Sequence, residues 1–407
     1  MSKSMATESP KPLFDEADLM EFAEGRVSNV LGALFAPVDL YRRRVRLPSP
    51  PFMALSRVVE ISGVPGTMKD ATIRTEYDIP GHAWNALDGQ ASQLTLDPQG
   101  ALVLAAWLGI DFESKGARAY RWVDADLTYC DRLPRVGERI DYEIHFGQSV
   151  VIGESRIVRG RCRAYVEGRI TVDAPRMTIG FFTDEALEFP VNWVPRRTLR
   201  AQSLQNDRPR MWPARGSLER VDLLALSHGH LAEVFSRAVP ADARNPSLRL
   251  PSAILQFVDR VAAMSTSGGV CGLGSIEAEW VVNPDHWAVR SHFKDDPIVA
   301  GPCMVEGAVQ ALHIYALAVG LHRGVSAGRF EPVVNSRVSI RFGAQVRARG
   351  QVLRYCVDIV DVQLRPDPSL VADVEIVDEG AVVGRIEGLG VRIVAETTNR
   401  TSGARNE

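Results

Sequence analysis

Cysteine is scarce in this chain: five in 407 residues. Cys130, Cys162, Cys271, Cys303 and Cys356 form no CxxC pair or other ligand spacing. An odd, scattered set of this kind argues against a disulfide framework and offers no zinc site. Long apolar runs are missing too, with nothing approaching the roughly 18 residues of a membrane helix. The opening stretch from Met1 to Pro10 lacks the apolar segment of a secretory leader. No P-loop, GxGxxG, GxSxG or HExxH occurs, so the sequence calls for no nucleotide, flavin, metal or other cofactor. Charge of one sign does not dominate either. A net charge of -3 gives no reason to expect nucleic acid. The one basic cluster, Arg42, Arg43, Arg44 and Arg46, reads as a solvated face. These absences predict a cytoplasmic protein with reduced thiols and no membrane, metal or nucleic-acid function.

What is present is an internal repeat. Arg46-Leu47-Pro48 and Arg57-Val58 recur as Arg249-Leu250-Pro251 and Arg260-Val261, an offset of 203 residues. The same offset pairs Ile73 with Ile276, Glu76 with Glu279 and Trp84 with Trp287. Upstream, Leu19, Gly25 and Val30 match Leu223, Gly229 and Val234, so a short helix is expected to open each half. Downstream, Gln99 and Gly109 match Gln310 and Gly320 at an offset of 211, and Tyr142 matches Tyr355 at 213.

Each half then carries one helix apolar on nearly all sides, Gln99 to Gly109 and Val305 to Gly320. Such a helix is buried rather than amphipathic. Period-two segments follow, such as 139–146, 161–166 and 353–360, and predict strands. A sheet wrapped round a buried helix, made twice, is an α+β double hotdog whose two sheets could join and cover each other's edge strands. The division expected is a flexible tail at 1–12, a first hotdog at 13–205, a second at 206–396 and a tail at 397–407.

Chemistry concentrates in the second half. Glu279-Trp-Val-Val-Asn-Pro-Asp-His-Trp287 is followed by His292-Phe293, Asp296-Pro297, Gly301, Glu306 and Gln310. This pattern predicts a histidine at a strand end and a carboxylate in the first turn of the next helix, the makings of a general acid/base pair. The segment resembles the active-site signature of the 3-hydroxydecanoyl-ACP dehydratase/isomerase (FabA-like) family. The first half, with Phe22-Ala-Glu-Gly-Arg26, Tyr77-Asp-Ile-Pro80 and Leu108-Gly-Ile-Asp-Phe112, resembles the first hotdog of dehydratase domains in polyunsaturated fatty acid synthases.

That resemblance implies a dehydratase of 3-hydroxyacyl thioesters carried on the phosphopantetheine of an acyl carrier protein. Product isomerisation would be open to the same residues. His292 would be the base, and Gly301, Gln310, Phe293 and Pro297 would contact substrate. The acid has two candidates. Glu306 occupies the family's acidic position, whereas Asp97 is the first-half acid if the halves pair as the family's homodimers do. No such choice exists for the base, because the first-half mate of His292 is Gly89. At most one complete site per chain follows, unless a homodimer pairs second halves together. Hotdog thioesterases, cyclases and non-catalytic acyl-carrier-binding subunits are the alternative readings.

Overall fold

The computed structural model describes residues 11–188, 191, 193, 216–235 and 245–395. The boundary expected at 205/206, residues 1–10 and the tail from 397 lie outside them. A short helix opens each half as the repeat predicts: α1, Glu16–Glu24, and its mate, Arg220–Ser227. The buried helix of the first half is α2, Gly100–Trp107, which makes the opening helix of the second half α3. The second buried helix is α4, Gly301–Ala318. Glycines at 109 and 320 sit just beyond the two buried helices with φ of 87° and 71°, left-handed values that a side chain would strain.

Among the described residues, the first half gives six strands to the large sheet: β1 Arg57–Ile61, β2 Ala71–Asp78, β3 Arg118–Tyr129, β4 Arg139–Ile152, β5 Ser155–Val166 and β6 Arg169–Thr183. Seven belong to the second: β7 Arg260–Ser265, β8 Ser275–Val281, β9 Gly328–Pro332, β10 Arg337–Phe342, β11 Val352–Gln363, β12 Ser369–Asp378 and β13 Ala381–Ala395. They form one antiparallel sheet, β1-β2-β4-β5-β6-β3-β10-β13-β12-β11-β8-β7, with β9 also on β13. Read outward from the centre, the two halves repeat the same order, each curled round its own helix. This is the α+β double hotdog. The halves meet through β3 and β10, where Ile340 lies opposite Ala125 and Arg341 opposite Asp124. Two edge strands thereby lose their free hydrogen-bonding rows.

The repeat is visible in the packing. Trp84 and Trp287 meet edge to face with ring centroids 4.6 Å apart. Their indole N–H groups donate to Pro51 O at 2.8 Å and Ile254 O at 2.7 Å, themselves repeat mates. Helix α4 buries almost every side chain because β8, β11, β12 and β13 of its own half pack over it, and each large aliphatic group so buried contributes about 1.5–3 kcal/mol.

The basic cluster is a solvated face only at Arg42, which is exposed. Arg43 and Arg46 are only 7% and 4% exposed. Arg46 pairs with Asp295 at 2.6 Å and Arg43 with Asp184 at 3.0 Å. Buried guanidinium groups survive because carboxylates far along the chain meet them, which no local pattern reveals.

Candidate active site

His292 does not stand at a strand end. It lies in the turn after a one-turn helix, Trp287–Arg290, because Val282-Asn283-Pro284 ends β8 and the chain must fold back. Asp295 and Asp296, in the same turn, are gripped by arginines of both halves. Arg46 Nε donates to Asp295 at 2.6 Å and Arg121 Nη1 to Asp296 at 2.6 Å, while Arg347 Nη2 reaches Asp296 at 3.3 Å. Burial alone would raise Asp296, but Arg121 holds it below the usual carboxylate range. The His292 carbonyl accepts the Ile298 N–H at 2.9 Å, and the imidazole packs against Phe52 and Phe293.

His292, Asp97 and Gly301 line one cavity of about 400 Å³. Burial first, then the charge of Arg121, pulls His292 down to about 3, so the imidazole is neutral at neutral pH. Burial pushes Asp97 up to about 7, against a hydrogen bond with Gln99 that favours the carboxylate. A neutral imidazole accepts a proton and a neutral carboxyl donates one. Asp97 is not the N-cap of α2. That position is Gln99, whose N–H donates to the Asp97 carbonyl at 2.8 Å.

Gly301 begins α4 and Pro302 has no N–H, so the Gly301 N–H meets no carbonyl four residues back within the helix. It is a donor at the positive end of the helix dipole. A Cβ at Gly301 would come within 2.8 Å of Trp122 and 2.9 Å of Phe342, so the helix start can approach the cavity wall only without a side chain.

Glu306 lies elsewhere. The helix begins at Gly301, which puts Glu306 in its second turn rather than its first. It is 5% exposed, accepts the Gln310 Nε2 at 2.9 Å, and lines a separate cavity of about 90 Å³ with His313 and Phe330. Burial raises it to about 7, against the Gln310 bond. Asp88 and Gln90, which flank Gly89, line the same small cavity. The structure therefore brings His292 together with Asp97, and Glu306 together with a half-site that has no histidine at the matching position.

Gln310, Phe293 and Pro297 do not line the large cavity. Gln310 ties α4 to the 255–257 loop, Phe293 packs edge-on against Tyr120, and Pro297 faces solvent. Tyr120, Arg121 and Trp122 on β3, which sequence reasoning passed over, line it instead. Alternation could mark that segment as a strand; only its pairing across the halves brings it to His292.

The family model described as the FabA-like domain matches residues 250–387, which bears out the resemblance read in the second half. A polyunsaturated fatty acid synthase polypeptide of a Thraustochytrium species is 30% identical over 397 residues, 93% of this chain and 26% of that protein. The chain thus spans about a quarter of the length of that curated relative. Among solved structures, the dehydratase domain from the CurJ module of curacin polyketide synthase is 10% identical with a TM-score of 0.43, covering 84% of this chain and 97% of that one. The dehydratase domain of RzxB from Pseudomonas fluorescens is 13% identical with a TM-score of 0.42, covering 84% and 98%. Among the described residues, no helix is long and apolar enough to cross a membrane.

Proposed function

We propose that this chain, whose residues 250–387 match the FabA-like domain, is a dehydratase of 3-hydroxyacyl thioesters. Its substrate is carried on the phosphopantetheine of an acyl carrier protein, and its product is the 2-enoyl thioester. The setting is fatty acid or polyketide assembly in the cytoplasm. The observation that carries this reading is that His292, a neutral base, and Asp97, an acid that burial raises to about 7, stand on the walls of one mostly apolar cavity beside the start of a helix.

Elimination needs three functions at once. His292 takes the C2 proton, and the electron pair of that bond forms the C2–C3 double bond. Asp97 protonates the 3-hydroxyl as the C3–O bond breaks, so water rather than hydroxide departs. The Gly301 N–H steadies the charge that develops on the thioester oxygen. Afterwards the proton held by His292 is lost to solvent and Asp97 regains one, which restores both groups.

The reading is tested by incubating the protein with 3-hydroxyacyl carrier proteins and following the loss of one water by intact mass. Dehydration that disappears with His292→Ala supports it. An unchanged acyl mass with every carrier tried would overturn it and favour a non-catalytic binding role.

A further inference from the structure

The two halves are alike in fold but not in how full they are. Tyr142 lies opposite Ala164 and Ile144 opposite Cys162. Their mates in the second half, Tyr355 and Val357, lie opposite Ile376 and Val374. The match is anchored independently, since Ile73 pairs with Ile144 and Ile276 with Val357. One strand further, Cys162 lies opposite Ala174 and Val374 opposite Ile386. Cys162, Ala164 and Ala174 are therefore the structural equivalents of Val374, Ile376 and Ile386.

The three small residues all line the cavity of about 400 Å³ that holds His292 and Asp97. Their larger equivalents are buried at 2%, 0% and 0% exposure and fill the corresponding space with their own side chains. The second half is left with a cavity of only about 90 Å³ that none of the three lines. Close packing explains the difference, because a core position either carries the atoms that fill it or leaves room for a ligand. The rest of the lumen beneath the first sheet is apolar, with Leu102, Ala125, Leu127, Val172 and Met177 on its walls. It extends well beyond the few atoms that react.

We propose that the first half, which has Gly89 where the second has His292, is the acyl-binding half: its sheet, hollowed at Cys162, Ala164 and Ala174, takes the alkyl tail of a medium- or long-chain 3-hydroxyacyl thioester. These three positions set the chain length accepted. The proposal rests on the dehydratase reading of the same site and adds its substrate class. It also gives the degenerate half a function beyond supplying Asp97.

The test gives the first half the side chains of the second: Cys162→Val, Ala164→Ile and Ala174→Ile, singly and together. Steady-state kcat/KM is measured with 3-hydroxybutyryl and 3-hydroxydecanoyl carrier protein. Each buried methylene contributes about 0.8 kcal/mol, roughly fourfold. The combined variant is therefore expected to lose about tenfold or more on the decanoyl substrate while keeping its rate on the butyryl one. Equal loss on both substrates, or none, overturns the proposal. If the combined variant does not fold, Ala164→Ile alone carries the same comparison. Ile376→Ala serves as the control and leaves the chain-length ratio unchanged. If wild type dehydrates neither substrate, the dehydratase reading has failed. The tail site is then judged by calorimetry with unreactive butanoyl- and decanoyl-pantetheine, where preference for decanoyl that Ala164→Ile abolishes supports it and no preference overturns it.

Discussion

Gln99 and Gln310 make the same pair of hydrogen bonds in the two halves. Gln99 accepts from the Ala54 N–H at 2.8 Å and donates to Phe52 O at 2.9 Å. Gln310 accepts from the Phe257 N–H at 2.9 Å and donates to Leu255 O at 2.7 Å. Each glutamine ties its helix to the loop before the first strands. The local difference between the halves is the acid: Glu306 sits one helical turn before its glutamine, Asp97 only two residues before.

The first prediction follows from those bonds. Gln99→Ala strands a buried N–H and a buried carbonyl, each costing about 1–3 kcal/mol. Urea denaturation should show the midpoint falling by a corresponding amount with an unchanged slope. An unaltered midpoint would mean that water replaces the amide.

Glu306 gives a pH-dependent stability with a definite sign. Its folded pKa, about 7, lies above the ordinary value of 4.5, so between those values the folded state holds a proton that the unfolded chain has lost. Stability contributed below about pH 4.5 is therefore lost as pH rises toward 7. Glu306→Gln removes the carboxylate and can still accept the Gln310 bond. Thermal melts from pH 5 to 9 should show the variant gaining on wild type as pH rises, and a constant difference in Tm would refute this.

The same logic sets the activity profile. His292 must be neutral and Asp97 protonated; their values are about 3 and about 7. The rate should be level on the acid side and fall as pH climbs through about 7. A rate that instead rose through that range would mark an ordinary histidine base and a different acid.

Gly301→Ala tests the close approach at the helix start. Its Cβ would press on Trp122 and Phe342, and overpacking of this kind costs about 1–3 kcal/mol. Chemical denaturation should report that loss alongside a reduced kcat, since both rings line the cavity. Wild-type stability and turnover together would show that the rings yield freely.

Much of this architecture was legible in the sequence. Repeat mates such as Trp84 and Trp287 fixed the two-fold organisation, and α2 and α4 announced burial by being apolar all round. The choice between Asp97 and Glu306 was not legible. The two acids differ by two residues in register, and only the cavity each one lines separates them. The burial of Arg43 and Arg46 was hidden for a related reason. Arg46 and Asp295 are far apart in sequence, and a pair of that span leaves no periodic trace. The lumen beneath the first sheet was equally invisible, because Ala164 and Ala174 in alternating strands look like any small core residues until their mates, Ile376 and Ile386, are placed beside them.

The central claim is that the base and the acid come from different halves of one chain. Single-turnover dehydration of a 3-hydroxyacyl carrier protein by His292→Ala, Asp97→Asn and Glu306→Gln tests it most directly. The first two should each fall by roughly 100-fold or more, the usual worth of a positioned proton-transfer group, with Glu306→Gln close to wild type. Loss of activity in Glu306→Gln together with an active Asp97→Asn would contradict the pairing.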